Sequence, residues 1–182
     1  MEKRIGILDR KLRVVNENTN DEAEWFKLVK RAFESTYGHE YQGDSLFLAR
    51  KNLLFSFIEN YAFKFHKESE LAQVKQIANI ITWNVWQMDR LNDCVLFSYE
   101  EKQESQLELF GDLPKILLPV PCKIKNWCSG KIYSFKELKG EGGEMKLNFG
   151  VFIGNSPYQL STNENGMQAR SIYYLFIERV KK

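Results

Sequence analysis

Apolar residues recur at helical spacing in four stretches of the chain, three of them in its first half. The first predicted helix covers residues 22–34, with Asp21 as its N-cap and Glu24 completing a capping box. The residues of its apolar face are Trp25, Phe26, Val29, Ala32 and Phe33. Spacing of three and four residues is typical of a helix that packs one side against a core.

A second and longer helix is predicted after Asp44, which we expect to cap it. Its apolar stripe comprises Leu46, Phe47, Leu53, Leu54, Phe57, Ile58 and Tyr61. A third helix begins at about Glu70. Residues 1–20 are mixed and polar, and the cluster of Asn and Thr near their end predicts a loop.

Short β segments alternate with these helices. Strands are predicted over residues 36–41 and 82–87, and another, strongly apolar strand over 149–153. An amphipathic helix over 172–180 follows, with basic residues in its last turn. This alternation predicts an α/β fold in which mostly parallel strands carry helices on both faces.

Residues 93–145 differ in character from the rest of the chain, because charged residues, prolines and glycines interrupt the apolar periodicity. Within them, residues 122–127 and 131–138 are predicted to pair as a hairpin around Ser129-Gly130. We interpret residues 93–145 as a small β insertion between the third and fourth core strands, within a single domain.

Composition and charge narrow the class of protein. The 182 residues are 43% hydrophobic and 14% aromatic, which argues against a disordered chain, and no apolar run is long enough for a membrane helix. Three cysteines, an odd number, favour a reducing compartment and a cytoplasmic location. His39 and His66 have no partners at metal-ligand spacing, so no metal site is predicted. The net charge of +2 is small for a self-sufficient nucleic-acid binder.

One turn carries candidate chemistry. Asn155-Ser156-Pro157-Tyr158 follows the predicted strand 149–153, and ligands of open α/β sheets bind beyond the carboxyl ends of strands. This tetrapeptide resembles the Asn-Pro-Pro-Tyr signature of adenine-specific, S-adenosyl-L-methionine-dependent DNA methyltransferases. Two earlier segments, 37–40 and 84–89, are similar to the acid-ended second and third strands of the same family. The resemblance covers about residues 22–181 and is greatest to the methylase part of type II restriction–modification proteins.

The resemblance implies catalytic roles for the tetrapeptide. Asn155 and the carbonyl of Ser156 would accept the two hydrogens of the adenine amine and direct its lone pair toward the methyl group. Pro157 would fix the backbone, and Tyr158 would stack on an adenine flipped out of DNA. Taken without the resemblance, Asn155-Ser156-Pro157-Tyr158 would be interpreted as an ordinary turn, because Asn and Pro are common turn residues.

The resemblance also implies a cofactor site. Glu40 would bind the ribose hydroxyls of S-adenosyl-L-methionine, and Asp89 would contact its adenine amino group. The implied fold is a partial Rossmann-like methyltransferase sheet, with residues 1–182 as one partial catalytic domain. Without the companion motifs, Glu40 would be interpreted as a solvated strand-end acid and Asp89 as a turn residue.

Several positions depart from the family pattern. Ser156 replaces a proline, Gly150 stands where Asp is usual, and Arg90 follows Asp89 where Gly is usual. No glycine-rich strand–loop–helix precedes Glu40. We therefore expect an internal fragment of the enzyme that is inactive alone and binds the cofactor weakly.

Two alternatives remain open on the sequence. The chain could be a non-catalytic interaction module, or a subunit that complements another polypeptide or associates with itself through open sheet edges. It could also be an unrelated small α/β domain in which the motifs coincide by chance.

Overall fold

The computed structural model describes residues 6–89, 92–101 and 117–135, which lie within one compact unit, Met1–Lys136. The helices of this part are α1 (Ile7–Asn18), α2 (Glu22–Glu34), α3 (Gly43–Phe65) and α4 (Leu71–Asn84). The strands are β1 (Gly38–Glu40), β2 (Val85–Gln87), β3 (Cys94–Glu101), β4 (Leu117–Pro121), β5 (Lys123–Lys125) and β6 (Ile132–Ser134). Among these helices, none is long and apolar enough to cross a bilayer.

The helix α2 confirms the first prediction at both ends. The Asp21 carboxylate accepts a hydrogen bond of 2.8 Å from the backbone N–H of Glu24, as an N-cap should. The expected cap of α3 is wrong, because this helix begins at Gly43 with Gln42 in the N-cap position. Asp44 instead lies in the first turn, where its negative charge suits the positive end of the helix dipole.

A helix, α1, occupies most of the segment that the sequence predicted as polar and loop-like. It buries Leu8 and Leu12, which are four residues apart and therefore share a face. Two buried positions among many charged ones give a short signal in the sequence, and packing against α2 and α3 completes the helix.

The helix α4 extends three residues further than the predicted boundary with a strand at residue 82. Its buried residues are Ile77, Ile80, Ile81 and Asn84, which continue helical spacing to the end. This periodicity overrides the β-branched and aromatic content of the segment. Trp83, which falls within the predicted strand 82–87, is helical, and β2 begins only at Val85.

The described strands form three two-stranded sheets. One pair, β1–β2, is parallel, with Gly38 opposite Val85 and Glu40 opposite Gln87. The pairs β3–β4 and β5–β6 are antiparallel. The chain is therefore of mixed α/β class, but the expectation of mostly parallel strands is wrong for the described part. Pairing of β5 with β6 confirms the predicted hairpin around Ser129-Gly130.

The core lies between the helices, and an aromatic cluster forms its centre. The ring of Trp25 in α2 lies 5.5 Å from that of Tyr61 and 5.3 Å from that of Phe65, measured between centroids. Phe57 is fully buried in the same cluster. Because α3 also contacts β1 and β2, this core holds the parallel pair in place.

Candidate functional site

Both strands of the parallel pair end at the same edge. Parallel strands run in one direction, so residues that follow β1 and β2 are neighbours in space. The backbone N–H of Met88 donates to the carbonyl of Glu40 at 3.1 Å, which fixes the two ends together. The predicted cofactor residues Glu40 and Asp89 thus belong to one edge of the same sheet.

Glu40 turns its carboxylate toward the connection between β1 and α3. Its Oε1 accepts hydrogen bonds from the backbone N–H groups of Tyr41 at 2.9 Å and Gln42 at 3.4 Å. A carboxylate has about four lone-pair positions, so these two contacts leave acceptor capacity for a ligand hydroxyl.

Gln87 braces the same turn from the neighbouring strand. Its Nε2 donates to the carbonyl of Tyr41 at 2.9 Å, across the gap between the two strand ends. The side chain therefore sets the position of Tyr41 and of the first residues of α3.

Asp89 forms a turn beyond β2. Its backbone N–H donates to the carbonyl of Cys94 at 3.0 Å, and its Oδ2 accepts from Nδ2 of Asn92 at 2.7 Å. These contacts fix the carboxylate at the start of the connection to β3.

A cleft of about 430 Å³ opens at this edge. It is lined by Tyr41, Gln42, Gly43, Asp44, Gln87, Leu96 and Phe97. One part of the lining offers carboxylate, amide and backbone groups, and the other offers aromatic and aliphatic surface. Such a mixture suits a ligand with a planar apolar ring and several hydroxyls.

Phe97 is the most unusual residue of the cleft. The pairing of β3 with β4 is irregular between Cys94 and Tyr99, and Phe97 within this irregularity has a φ of 56°. A bulky residue rarely adopts the left-handed region, and its side chain is 85% exposed. Irregularities of this kind redirect side chains beside functional sites, so this one gives the cleft an aromatic wall.

The support behind the cleft comes from Asn84 and Arg50. Asn84 is buried, and its Nδ2 donates to carbonyls at the end of α2 and to that of Thr36, just before β1. Its Oδ1 accepts from the indole N–H of Trp127 at 2.7 Å. Arg50 of α3 donates to the carbonyl of Val85 at 2.8 Å. These bonds join three helices, α2, α3 and α4, to β2, to the segment that precedes β1 and to the hairpin.

The cysteine next to the cleft does not supply a nucleophile at neutral pH. Burial raises the pKa of the Cys122 thiol to about 12, and its sulfur lies 3.9 Å from the carbonyl oxygen of Gln87. The thiolate is the reactive form, so this group remains an inert thiol. Within residues 6–89, 92–101 and 117–135, no cluster of three or more His, Cys, Asp or Glu could hold a metal ion.

None of the seven residues that line the cleft was predicted as a site residue, and neither Glu40 nor Asp89 is among them. Gln87 lies within segment 84–89, but its hydrogen bond to the Tyr41 carbonyl depends on the parallel register of β1 and β2, which the sequence pattern does not specify. Leu96 and Phe97 come from the stretch interpreted as an insertion, and an isolated apolar pair there gave no signal. Asn155, Ser156, Pro157 and Tyr158, together with the predicted strand 149–153 and helix 172–180, lie outside the described residues.

The chain was compared with protein-family models, with curated proteins and with solved structures, and none of them matches it.

Proposed function

We propose that this chain is part of an adenine N6 DNA methyltransferase of the restriction–modification type, and that the cleft binds the nucleoside half of S-adenosyl-L-methionine. The observation that supports the proposal best is the shared edge of β1 and β2. Two adjacent parallel strands end there, each with an acidic residue at or just beyond its end, Glu40 and Asp89, beside a cleft with aromatic walls.

The chemistry of the cleft fits a nucleoside. Its volume of about 430 Å³ lies within the usual range of small-ligand sites, about 300–1,000 Å³. Glu40 would accept hydrogen bonds from the ribose hydroxyls, since a carboxylate is an acceptor without a proton of its own. Tyr41 and Phe97 would lie against the purine ring, where stacking is favourable. Asp89 would accept from the adenine amino group.

We assign the methyl-transfer step to the turn Asn155-Ser156-Pro157-Tyr158. The bound cofactor supplies an electrophilic methyl group. Asn155 and the Ser156 carbonyl would hold the two hydrogens of the target amine, and Tyr158 would stack on the flipped base. DNA would then be the substrate. The location would be a reducing cytoplasm, in keeping with Cys94, Cys122 and Cys128, none of which forms a disulfide within the described part of the chain. We propose in addition that the fold is a partial Rossmann-like sheet that includes β1 and β2.

Replacing Glu40 with alanine is expected to weaken nucleoside binding about 10- to 100-fold. This is the change in dissociation constant that corresponds to the loss of a hydrogen bond to a charged group. Titrations of S-adenosylhomocysteine and of adenosine, followed by the NMR shifts of the Gly43 and Gln87 amides, measure it. The matched control is Glu68→Ala, an exposed acid between α3 and α4.

The titration has clear outcomes. We expect saturable shifts at the cleft amides with a dissociation constant above the low-micromolar range, lost in Glu40→Ala and kept in Glu68→Ala. Cleft amides that do not respond to either ligand, or equal binding by wild type and Glu40→Ala, would overturn the proposal.

We expect the Phe97 side chain to contribute to adenosine binding, and its left-handed backbone conformation to lower the stability of the fold. Phe97→Ala should lose about tenfold in affinity for adenosine, because the stacking surface is removed. The control is Tyr99→Ala, which removes an exposed aromatic from the same strand. Phe97→Gly should bind adenosine as poorly as Phe97→Ala does. It should melt at a higher temperature than the wild type, since glycine tolerates a φ of 56°. If both variants bind adenosine normally, Phe97 is not part of the nucleoside site.

A further inference from the structure

A second cavity, of about 510 Å³, lies along the seam between α1 and α2. The Nζ of Lys11 donates to the carbonyl of Ser35 at 3.2 Å, so the first half of α1 lies beside the end of α2 and the two helices run antiparallel. We call this cavity the α1–α2 groove and define it by six of its lining residues, Arg10, Lys11, Val14, Leu28, Arg31 and Ala32.

The lining of this groove changes from cationic to apolar along its length. In α1, Arg10 and Lys11 come one turn before Val14, and in α2, Arg31 comes one turn after Leu28. Because the helices run antiparallel, the three cations lie at one end of the groove and the two apolar side chains lie at the other. Val14 is 58% exposed, so its apolar surface is open to a ligand.

The two arginines of the groove carry charge that the described part of the chain does not neutralise. Within residues 6–89, 92–101 and 117–135, neither guanidinium forms an ion pair or a hydrogen bond. Acids of the same two helices pair with other cations, Asp9 with Arg13 at 2.7 Å and Glu34 with Lys30 at 3.9 Å. No acidic side chain is among the described residues that line the groove. The cationic end of the groove is therefore complementary to an anion.

We propose that the α1–α2 groove binds an anionic amphiphile, a single aliphatic chain with a carboxylate head. Arg10 and Arg31 would hold the carboxylate from the two helices, since hydrogen bonds between guanidinium and carboxylate groups are among the strongest in proteins. The aliphatic chain would lie over Val14 and Leu28 and remove their apolar surface from water. The proposal does not depend on the nucleoside site, which lies at the edge of β1 and β2.

Both halves of the ligand are needed to match the groove. A small anion would leave the apolar end uncovered, and a neutral or cationic chain would leave the arginines unpaired. The volume of about 510 Å³ lies within the usual range of small-ligand sites, about 300–1,000 Å³. The two ends are centred one helical turn apart, about 5.4 Å, which a chain of roughly six to eight carbons covers.

An NMR titration of the whole chain with octanoate measures this binding. We expect saturable shifts at the amides of Val14 and Leu28, with a dissociation constant of about 0.1–1 mM, and no response at the cleft amides of Gly43 and Gln87. Butyrate should bind about tenfold more weakly, because it leaves the apolar end uncovered. Octyltrimethylammonium, which has the same chain length and the opposite charge, should not shift the groove amides.

Substitutions in the groove test the two ends separately. Arg10→Gln and Arg31→Gln should each weaken octanoate binding about tenfold, and Val14→Asp, which places a negative charge beside the chain, should abolish it. The matched control is Arg13→Gln, which changes an arginine of α1 that pairs with Asp9 outside the groove. Circular dichroism confirms that each variant is folded.

Three results would each overturn the proposal. The first is the absence of saturable shifts at the groove amides with octanoate. The second is binding of octyltrimethylammonium at the groove as tight as that of octanoate, which would indicate adsorption without charge recognition. The third is wild-type affinity for octanoate in a folded double variant, Arg10→Gln with Arg31→Gln.

Discussion

Replacing Trp25 with alanine is expected to lower the free energy of unfolding by about 3–5 kcal/mol, enough to unfold a large share of a marginally stable domain. Trp25 is fully buried in α2 and packs on three aromatic rings of α3, those of Phe57, Tyr61 and Phe65. Removing the indole leaves a cavity between two long helices, which cannot close without moving the backbone. Urea unfolding of both proteins, monitored by circular dichroism, measures the loss.

The conservative variant separates packing from hydrogen bonding. The indole N–H of Trp25 donates to Oδ1 of Asn16 at 2.7 Å, and Asn16 in turn donates to Oδ1 of Asn60 at the same distance. Trp25→Phe keeps most of the ring surface but removes the donor from this chain of bonds across three helices. We expect a smaller loss of about 1–2 kcal/mol. An equal loss in the two variants would mean that the hydrogen bonds, not the packing, dominate.

Local signals in the sequence were sufficient where one element carries its own evidence. The helix α2 has an N-cap at Asp21 and an apolar stripe, both of which act within a few residues, and its bounds follow from them. The β5–β6 hairpin likewise depends on a local turn at Ser129-Gly130. The α1 helix was missed because its stability comes from packing against α2 and α3, which no pattern within its own residues shows.

The candidate site also combines features that the sequence indicates with features that only the tertiary structure determines. Glu40 and Asp89 were singled out by the resemblance of segments 37–40 and 84–89 to a known family, and the parallel pair does bring the two strand ends together. The brace from Gln87 and the exposure of Phe97 depend on register and on an irregularity between β3 and β4, which no local pattern specifies. Asn155 to Tyr158 remain a prediction from resemblance.

Replacing Asn84 with alanine is expected to cost about 3–4 kcal/mol, although the change removes only a small polar group. The Asn84 side chain is 1% exposed, and its amide bonds to the carbonyls of Phe33, Glu34 and Thr36 while its oxygen receives the Trp127 indole N–H. Each buried group left without a partner adds roughly 1–3 kcal/mol, reduced where water can enter. Thermal and urea unfolding measure the loss.

Two further variants at this position test the physical reason. Asn84→Leu fills the space without restoring the bonds, so it should stay as destabilised as Asn84→Ala if hydrogen bonding is decisive. Asn84→Asp keeps the acceptor for Trp127 but places a charge against carbonyl oxygens, which raises its pKa in the folded state. A raised pKa makes the folded protein bind the proton more tightly than the unfolded chain. The Asp variant should therefore regain stability as the pH falls below neutrality.

Because Asn84 joins the end of α2, the start of β1 and the hairpin, its loss should also reach the cleft. Thr36 leads directly into β1, and Val85, the residue after Asn84, begins β2. Freed from this anchor, the two strand ends would no longer hold Glu40 opposite Gln87, and nucleoside binding should weaken under conditions where Asn84→Ala is still folded. Trp25→Ala, compared at the same folded fraction, lacks a direct link to either strand and should retain its affinity. Equal affinity in the two variants would show that Asn84 stabilises the fold without positioning the site.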